Sequence, residues 1–510
     1  MKEKMNVLFI TTDQQRVDML HCYGNNIIKT PNLDKLANES VRFTNAFCTN
    51  PMCMPNRATW LTGYYPNVHG VRSNGINLPT DVPTITQTLV KRGYHTINVG
   101  KTHFNFWTPP YKPKNHSLEC FDIWKDLDPK KRKLTKKALP SPYYGFEENF
   151  LTIGHGPLVL GHYHEWLEER APDLAKRVLE DYKNLDNYFE LTYDSFIPEE
   201  LYNTTYIQNH TIEVLERCSE GKYESDNFYL HCSFPDPHYP VAPPGKYRDM
   251  YKPEDMILPE NIDNISHLYD HPYLGKYMKD PPIRKAMIRE ETEETIRRFI
   301  AFNYGSVSLI DHAVGQILAS LDKFSLTKNT IVIFTSDHGD YMGDHSMLLK
   351  GPSPFKGTLH VPLIWKLPGI TKAATSDALI SSVDIPRTIM ELLDIKERYR
   401  PPLMQGHNMI PALEDPLVKV RDCVLIVEDE EVGPKGPLFT RLAHLITEDY
   451  KLTTYGELSG YGDIYDRNND DAELNNLWDQ DEKLRLKLLD KLLHEYMMTR
   501  SRFPIREGGT

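Results

Sequence analysis

The chain has 510 residues, 40% hydrophobic and 25% charged, the ordinary make-up of a globular protein large enough to bury an extensive core. Its net charge of −12 excludes a sequence-independent nucleic-acid binder. The cysteines are Cys22, Cys48, Cys53, Cys120, Cys218, Cys232 and Cys423, an odd set with no paired spacing and no CxxC. That pattern argues against a disulfide scaffold and against a zinc ribbon.

The first residues, MKEKMNVLFITTDQQ, enter an apolar strand by Asn6, too soon for the pattern of a signal peptide, so none is expected. No uninterrupted apolar stretch is long enough to span a membrane. The expectation is a cytoplasmic protein with no membrane or nucleic-acid partner. Asn6 to Thr12 reads as a central parallel strand ending in Asp13-Gln14. Thr30-Pro31 opens a helix through Leu36, with threonine as its cap. CMPNRATWLTG, Cys53 to Gly63, reads as a short helix with Pro55 in its first turn. Ile85 to Arg92 is a helix closed by Gly93, and His95 to Val99 a strand leading into Lys101-Thr102-His103.

From about 105 to 220 the chain is rich in Pro, Tyr and charge and reads as insertions around the active-site face. It contains a basic run, Lys130 to Lys133 with Lys136 and Lys137, best read as a solvated loop. Asn227 to Cys232 is a strand ending at Asp236-Pro237-His238. A long helical pattern runs from about Ile283 to Phe324, its stripe including Ile296, Ile300, Val307, Ile310, Val314, Ile317 and Leu321. Thr330 to Thr335 is a strand ending in Ser336-Asp337-His338. Val361 to Trp365 reads as another, and Val383 to Leu393 as a helix. After about residue 420 the pattern becomes antiparallel: Cys423–Val427, Leu438–Ile446 and Lys451–Tyr455, then a helix over Glu482–Met498. The alternation predicts an α/β fold with a large mixed, mostly parallel sheet flanked by helices over residues 1–420. A smaller α+β subdomain on an antiparallel sheet follows over 421–510.

The chemistry gathers at strand ends, where ligands sit in open α/β sheets. A helix N-terminus favours an anion beside Cys53, and Arg57, four residues on, faces the same way. A thiol next to a guanidinium points to an oxyanion substrate such as a sulfate or phosphate ester. Asp13-Gln14, Lys101 with His103, His238 and Asp337-His338 supply the remaining polar groups.

Cys-x-Pro-x-Arg followed by Leu-Thr-Gly resembles the signature of the type I sulfatases, members of the alkaline phosphatase superfamily. The resemblance implies an alkaline-phosphatase-like fold and conversion of Cys53 to formylglycine by a maturation enzyme. It also implies one divalent cation held by Asp13, Gln14, Asp337, His338 and the modified Cys53. Gln14 and His338 stand where many relatives have aspartate and asparagine. The oxygen-rich set suits calcium, with magnesium and manganese as alternatives. By the same resemblance Arg57, Lys101 and Lys350 stabilise sulfuryl oxygens, and His238, with Lys350, protonates the leaving oxygen. His103 deprotonates the second hydroxyl of the hydrated aldehyde so that sulfate is expelled. Lys350 lies in SDHGDYMGDHSMLLKGP, which resembles a second signature region of the family. Asn74 and His345 are candidate substrate contacts, and Asp344 a supporting residue.

The expected reaction is hydrolysis of an organic sulfate monoester, with a lean toward a carbohydrate sulfate from the aromatic content of the insertions. The alternative is a phosphonate monoester or phosphodiester hydrolase of the same superfamily. Those enzymes tend to replace Lys-x-His by Tyr-x-Thr, and this chain keeps Lys101 and His103. A cysteine hydrolase using Cys53 and His238, and a non-catalytic binding protein on the same fold, are the readings from other classes.

Overall fold

A computed structural model describes residues 4–107, 117–124, 139–183, 190–225, 227–280, 291–369, 373–432 and 438–500. The basic run at 130–137 lies outside the described residues. In chain order the strands are β1 (Asn6–Thr12), β2 (Val41–Phe47), β3 (His95–Gly100), β4 (Glu148–His155), β5 (Leu158–Gly161) and β6 (Phe228–Ser233). They continue with β7 (Thr330–Ser336), β8 (Leu363–Lys366), β9 (Ala374–Ser381), β10 (Cys423–Val432), β11 (Leu438–Thr447), β12 (Tyr450–Tyr455) and β13 (Gly462–Asp466).

Nine of them form one sheet in the order β5-β4-β3-β6-β1-β7-β8-β2-β9. Its centre, β4-β3-β6-β1-β7, is parallel, while β8 runs antiparallel to both its neighbours. β1 is buried along its whole length, as its unbroken apolar run requires of a strand covered on both faces. Leu8 and Ile10 point to one face, packed by helices Pro31–Asn38, Asn203–Ser219 and Glu293–Lys323. Val7 and Phe9 point to the other, packed by helices Cys53–Thr62, Ile85–Lys91 and Asp384–Leu392. Every residue of the predicted stripe on Glu293–Lys323 is buried.

β10 to β13 make a separate antiparallel sheet in chain order. Cys423, Leu425 and Val427 meet the Glu482–Met498 helix, through Leu488 and Leu492. Val424 and Ile426, on the opposite face, pack on Phe47, Cys48, Leu359 and Leu379 of the larger part. Among the described residues no helix is long and apolar enough to cross a membrane.

Several expectations shift. β4 and β5, inside the stretch read as insertions, extend the main sheet. β2, β9 and β13 carry too much polar sequence to be read as strands alone. The strand expected over Val361–Trp365 is β8, two residues later at its start. Thr30 does not cap its helix: its hydroxyl accepts from His21 N–H at 3.0 Å and donates to Asp34 at 3.2 Å. The N-terminal N–H groups of Asn32 and Leu33 donate instead to the Asp311 carboxylate, at 3.0 and 2.7 Å.

Candidate active site

Parallel register brings the site together. Gly100 of β3 lies opposite Ser233 of β6, Ser233 opposite Thr11 of β1, and Thr12 opposite Ser336 of β7. The residues that follow each strand (Lys101, His238, Asp13-Gln14 and Asp337-His338) therefore emerge side by side. Backbone bonds hold the exits in place, Asp337 N–H to Thr12 O and Asp13 N–H to Asp236 O, each 3.2 Å. Gly100 must be glycine: at φ +108° a Cβ would come within 1.9 Å of the Ser233 carbonyl oxygen.

The Cys53–Thr62 helix is buried at every position. Asn50 Oδ1 accepts from Met52 N–H at 2.9 Å and Asn74 Oδ1 from Met54 N–H at 3.0 Å. Asn74 thus secures the start of the helix. Gly63 closes its end with φ +75°, its N–H donating to Thr59 O. The Cys53 thiol sits 2.9 Å from Lys350 Nζ, 3.2 Å from His338 Nε2 and 3.5 Å from Asp13 Oδ1. Burial and Asp13 oppose ionisation of this thiol. Lys101, Lys350 and His338 outweigh them and lower its pKa.

Asp13, Cys53, Asp337 and His338 place one ligand atom each within 4.8 Å of one another, all buried. Burial pushes the Asp13 carboxyl up, but Lys101, His238 and His155 hold it well below the carboxylate range. His338 donates from Nδ1 to the Gly339 carbonyl at 2.8 Å, which turns Nε2 toward the cluster. β1 ends before Asp13, and Gln14 takes a left-handed φ of +64° that turns its chain back toward Asp337. Gln14 donates from Nε2 to Asp340 Oδ2 at 2.5 Å, leaving its Oε1 buried with no described partner. Two carboxylates and an imidazole nitrogen so grouped, with an orphaned amide oxygen on the residue that follows Asp13, fit a hard or borderline divalent cation.

Arg57 is almost fully buried. It pairs through Nε with Asp337 Oδ2 at 2.7 Å and donates from Nη1 to Lys101 O and Ser233 Oγ. Its Nη2 is buried with no described partner. Lys101 Nζ pairs with Asp13 Oδ2 and lies 3.0 Å from His155 Nε2. His103 is held at φ +55° and stacks on Trp107 at 3.8 Å. Burial, then Lys101, keep it neutral, its pKa well below the usual imidazole value.

His238 donates from Nδ1 to the Tyr239 carbonyl at 2.5 Å, which fixes Nε2 as an acceptor for Lys350 Nζ at 3.1 Å. Burial and the adjacent His155 keep its ring neutral, while Cys53 and Asp13 raise the Lys350 pKa against burial. Lys350 therefore carries the proton on that side of the site.

All the sequence-predicted residues gather here except His345. It bonds Asn264 at 3.1 Å and stacks on Phe355 at 3.5 Å. Asp344 pairs with Arg16. Sequence reasoning missed His155, at the end of β4. Its ring stacks on His238 at 3.5 Å, and its Nε2 lies 3.2 Å from Asp13 Oδ2. It also missed Asp340, which braces Gln14, and Ser233. Recognising β4 as a sheet strand would have flagged His155 as a further strand-end residue.

Parallel strand ends, a helix that starts at a buried cysteine and a buried acidic cluster thus meet where α/β folds bind their ligands. The sulfatase family profile matches residues 5–395, and that of the N-sulphoglucosamine sulphohydrolase C-terminal region matches 353–500. The chain belongs to the sulfatase family of the alkaline phosphatase superfamily and is a sulfuric ester hydrolase. It is 30% identical to an arylsulfatase of Clostridium perfringens over 96% of this chain and 94% of that one. It is 23% identical to an N-acetylglucosamine-6-O-sulfatase of Bacteroides thetaiotaomicron, over 97% and 87%. The phosphonate monoester hydrolase of Agrobacterium radiobacter superposes with a TM-score of 0.77 at 25% identity, covering 97% of this chain and 96% of that one.

Proposed function

We propose that the protein hydrolyses a carbohydrate sulfate monoester at Cys53 in its formylglycine form, with one divalent cation, calcium by preference, beside it. The observation that carries this reading is the convergence of the lowered-pKa Cys53 thiol, the acidic cluster and Lys350 within hydrogen-bonding distance. The aldehyde hydrate would supply a nucleophile that can be regenerated, and the cation would supply charge stabilisation for the ester oxygens. Asp13, Gln14, Asp337 and His338 are the residues to hold the cation.

The chain's own groups account for the rest. Arg57 Nη2 and Lys101 bind the nonbridging oxygens from one side. Lys350 delivers a proton to the departing oxygen, and His238, with its Nε2 lone pair aimed at Lys350, orients that ammonium and relays the proton. Neutral His103 stands ready to take a proton during regeneration. The N-acetylglucosamine-6-O-sulfatase among the relatives supports a saccharide substrate. The retained Lys101 and His103 support sulfur over phosphorus.

Turnover of sugar sulfates, aryl sulfates, phosphodiesters and phosphonate monoesters tests the reading directly. Sulfate esters are expected to be the fastest, and faster phosphodiester or phosphonate turnover would sink it. Mass spectrometry of the Cys53 peptide from protein made with its maturation enzyme is expected to show the aldehyde. Cys53→Ala is expected to abolish activity. Chelation is expected to remove activity, and added calcium to restore it.

A further inference from the structure

His155, the last residue of β4, is buried between the two cationic arms of the site. Gly156 follows it, and at φ +54° a Cβ there would lie 2.2 Å from the Pro240 carbonyl oxygen. The Gly156 carbonyl accepts from Asn203 Nδ2 at 2.8 Å. The turn after β4 is therefore pressed onto the loop that bears His238. The His155 and His238 rings lie face to face, centroids 3.5 Å apart and planes within 9°. His155 also meets Trp107 at 5.0 Å, and Trp107 stacks on His103 at 3.8 Å. A continuous run of rings thus joins His238 to His103.

The same imidazole meets the other arm along its edge. Its Nε2 is 3.0 Å from Lys101 Nζ, and an ammonium has only donors, so Nε2 accepts. Lys101 gives a second donor to Asp13 Oδ2, and with two of its three N–H groups so directed the third is aimed as well. Asp13, His155 and His238 also place one ligand atom each within 4.8 Å of one another. Lys101 faces the His155 nitrogen and Lys350 the His238 nitrogen, at 3.0 and 3.1 Å, so ammonium groups stand where a second cation would have to bind.

We propose that His155 is a positioning residue that holds both arms at once. Its edge aims the Lys101 ammonium at a nonbridging ester oxygen, and its face fixes the His238 ring that orients Lys350 toward the leaving oxygen. This inference rests on the sulfate-ester reading above and on its proton route through Lys350 and His238.

Two variants separate the edge from the face. His155→Phe keeps a flat ring against His238 and loses the acceptor for Lys101. His155→Gln keeps an acceptor and loses the ring. The readout is kcat/KM on 4-nitrophenyl sulfate, whose phenolate leaves without a proton, and on 4-methylphenyl sulfate, whose phenolate needs one. His155→Phe is expected to lose about tenfold or more on both esters, with their ratio within about twofold of wild type, because Lys101 serves the nonbridging oxygens whatever group departs. His155→Gln is expected to lower the ratio of 4-methylphenyl to 4-nitrophenyl turnover by about tenfold, as is His238→Ala, because only the poorer leaving group relies on the delivered proton. A histidine that merely supported the fold would lower both esters alike in both variants. An equal loss on both esters in His155→Gln, a lowered ratio in His155→Phe, or wild-type rates in either variant overturns the proposal, and each variant decides it should the other fail to fold. Two divalent ions per chain in the wild-type protein would give His155 to a metal and overturn it as well. An unchanged ratio in His238→Ala overturns the proton route instead, and a wild type that cleaves phosphodiesters faster than any sulfate overturns the sulfate-ester reading.

Discussion

Arg57 joins the nucleophile helix to β7 through Asp337, in a pair from which water is excluded. Arg57 pairs with no other carboxylate among the described residues, and Asp337 is left with His338 Nε2 at 3.6 Å, so removing Arg57 leaves a buried carboxylate poorly compensated. Arg57→Ala is expected to destabilise the fold by about 3–5 kcal/mol as well as abolish turnover. A thermal unfolding midpoint within a degree of wild type would contradict this. Cys53, Arg57, Lys101, Asp13, Asp337 and His338 were legible in the sequence because each sits in a short motif or at the end of an apolar run. His155 was not legible, because β4 begins with polar residues, and only pairing with β3 reveals it as a strand of the main sheet. The rotation of His238, which makes Lys350 the proton carrier, depends on a contact with the Tyr239 carbonyl that no motif encodes.

Helix Pro31–Asn38 shows how an element's sequence can name the wrong cap. Thr30-Pro31 is a sound start signal, yet the free N–H groups go to Asp311, some 280 positions away on helix Glu293–Lys323. Burial pushes the Asp311 carboxyl up to about 6 in spite of these donors. The folded protein thus keeps this proton up to about pH 6, whereas the unfolded chain releases it near the usual carboxylate value of 3.8. Between those values the folded state binds more protons, so this group's contribution to stability declines as pH rises. Asp311→Asn is expected to remove that slope. Its stability relative to wild type should climb from about pH 4 to pH 6 and level off above, as read by urea midpoints across the range. A pH-independent difference would show that the carboxyl does not titrate there.

At the scale of the molecule, the antiparallel sheet closes the face of the larger part. Val427 N–H bonds Thr49 O at 3.0 Å, Asn50 Nδ2 bonds Val427 O at 2.7 Å, and Arg421 pairs with the buried Asp384 at 2.5 Å. Thr49 and Asn50 lead directly into Cys53, so the C-terminal sheet supports the segment that presents this thiol. A chain ended at residue 420 would expose Phe47, Cys48, Leu359 and Leu379 and leave Asp384 without Arg421. It is expected to be insoluble or inactive, as judged by soluble yield and sulfate-ester turnover. A well-folded, active 1–420 chain would show that the two parts are independent.

The sequence by itself determined the α/β class, the central strands, the long helix and the Cys53 helix start, since these depend on local periodicity and short-range spacing. The tertiary structure alone decided the strand order, the outer strands β2, β4, β5 and β9, the true cap of the Pro31–Asn38 helix and the arrival of His155 beside Asp13. Each of those depends on a contact between residues far apart in the chain, and such contacts leave no periodic trace in either partner.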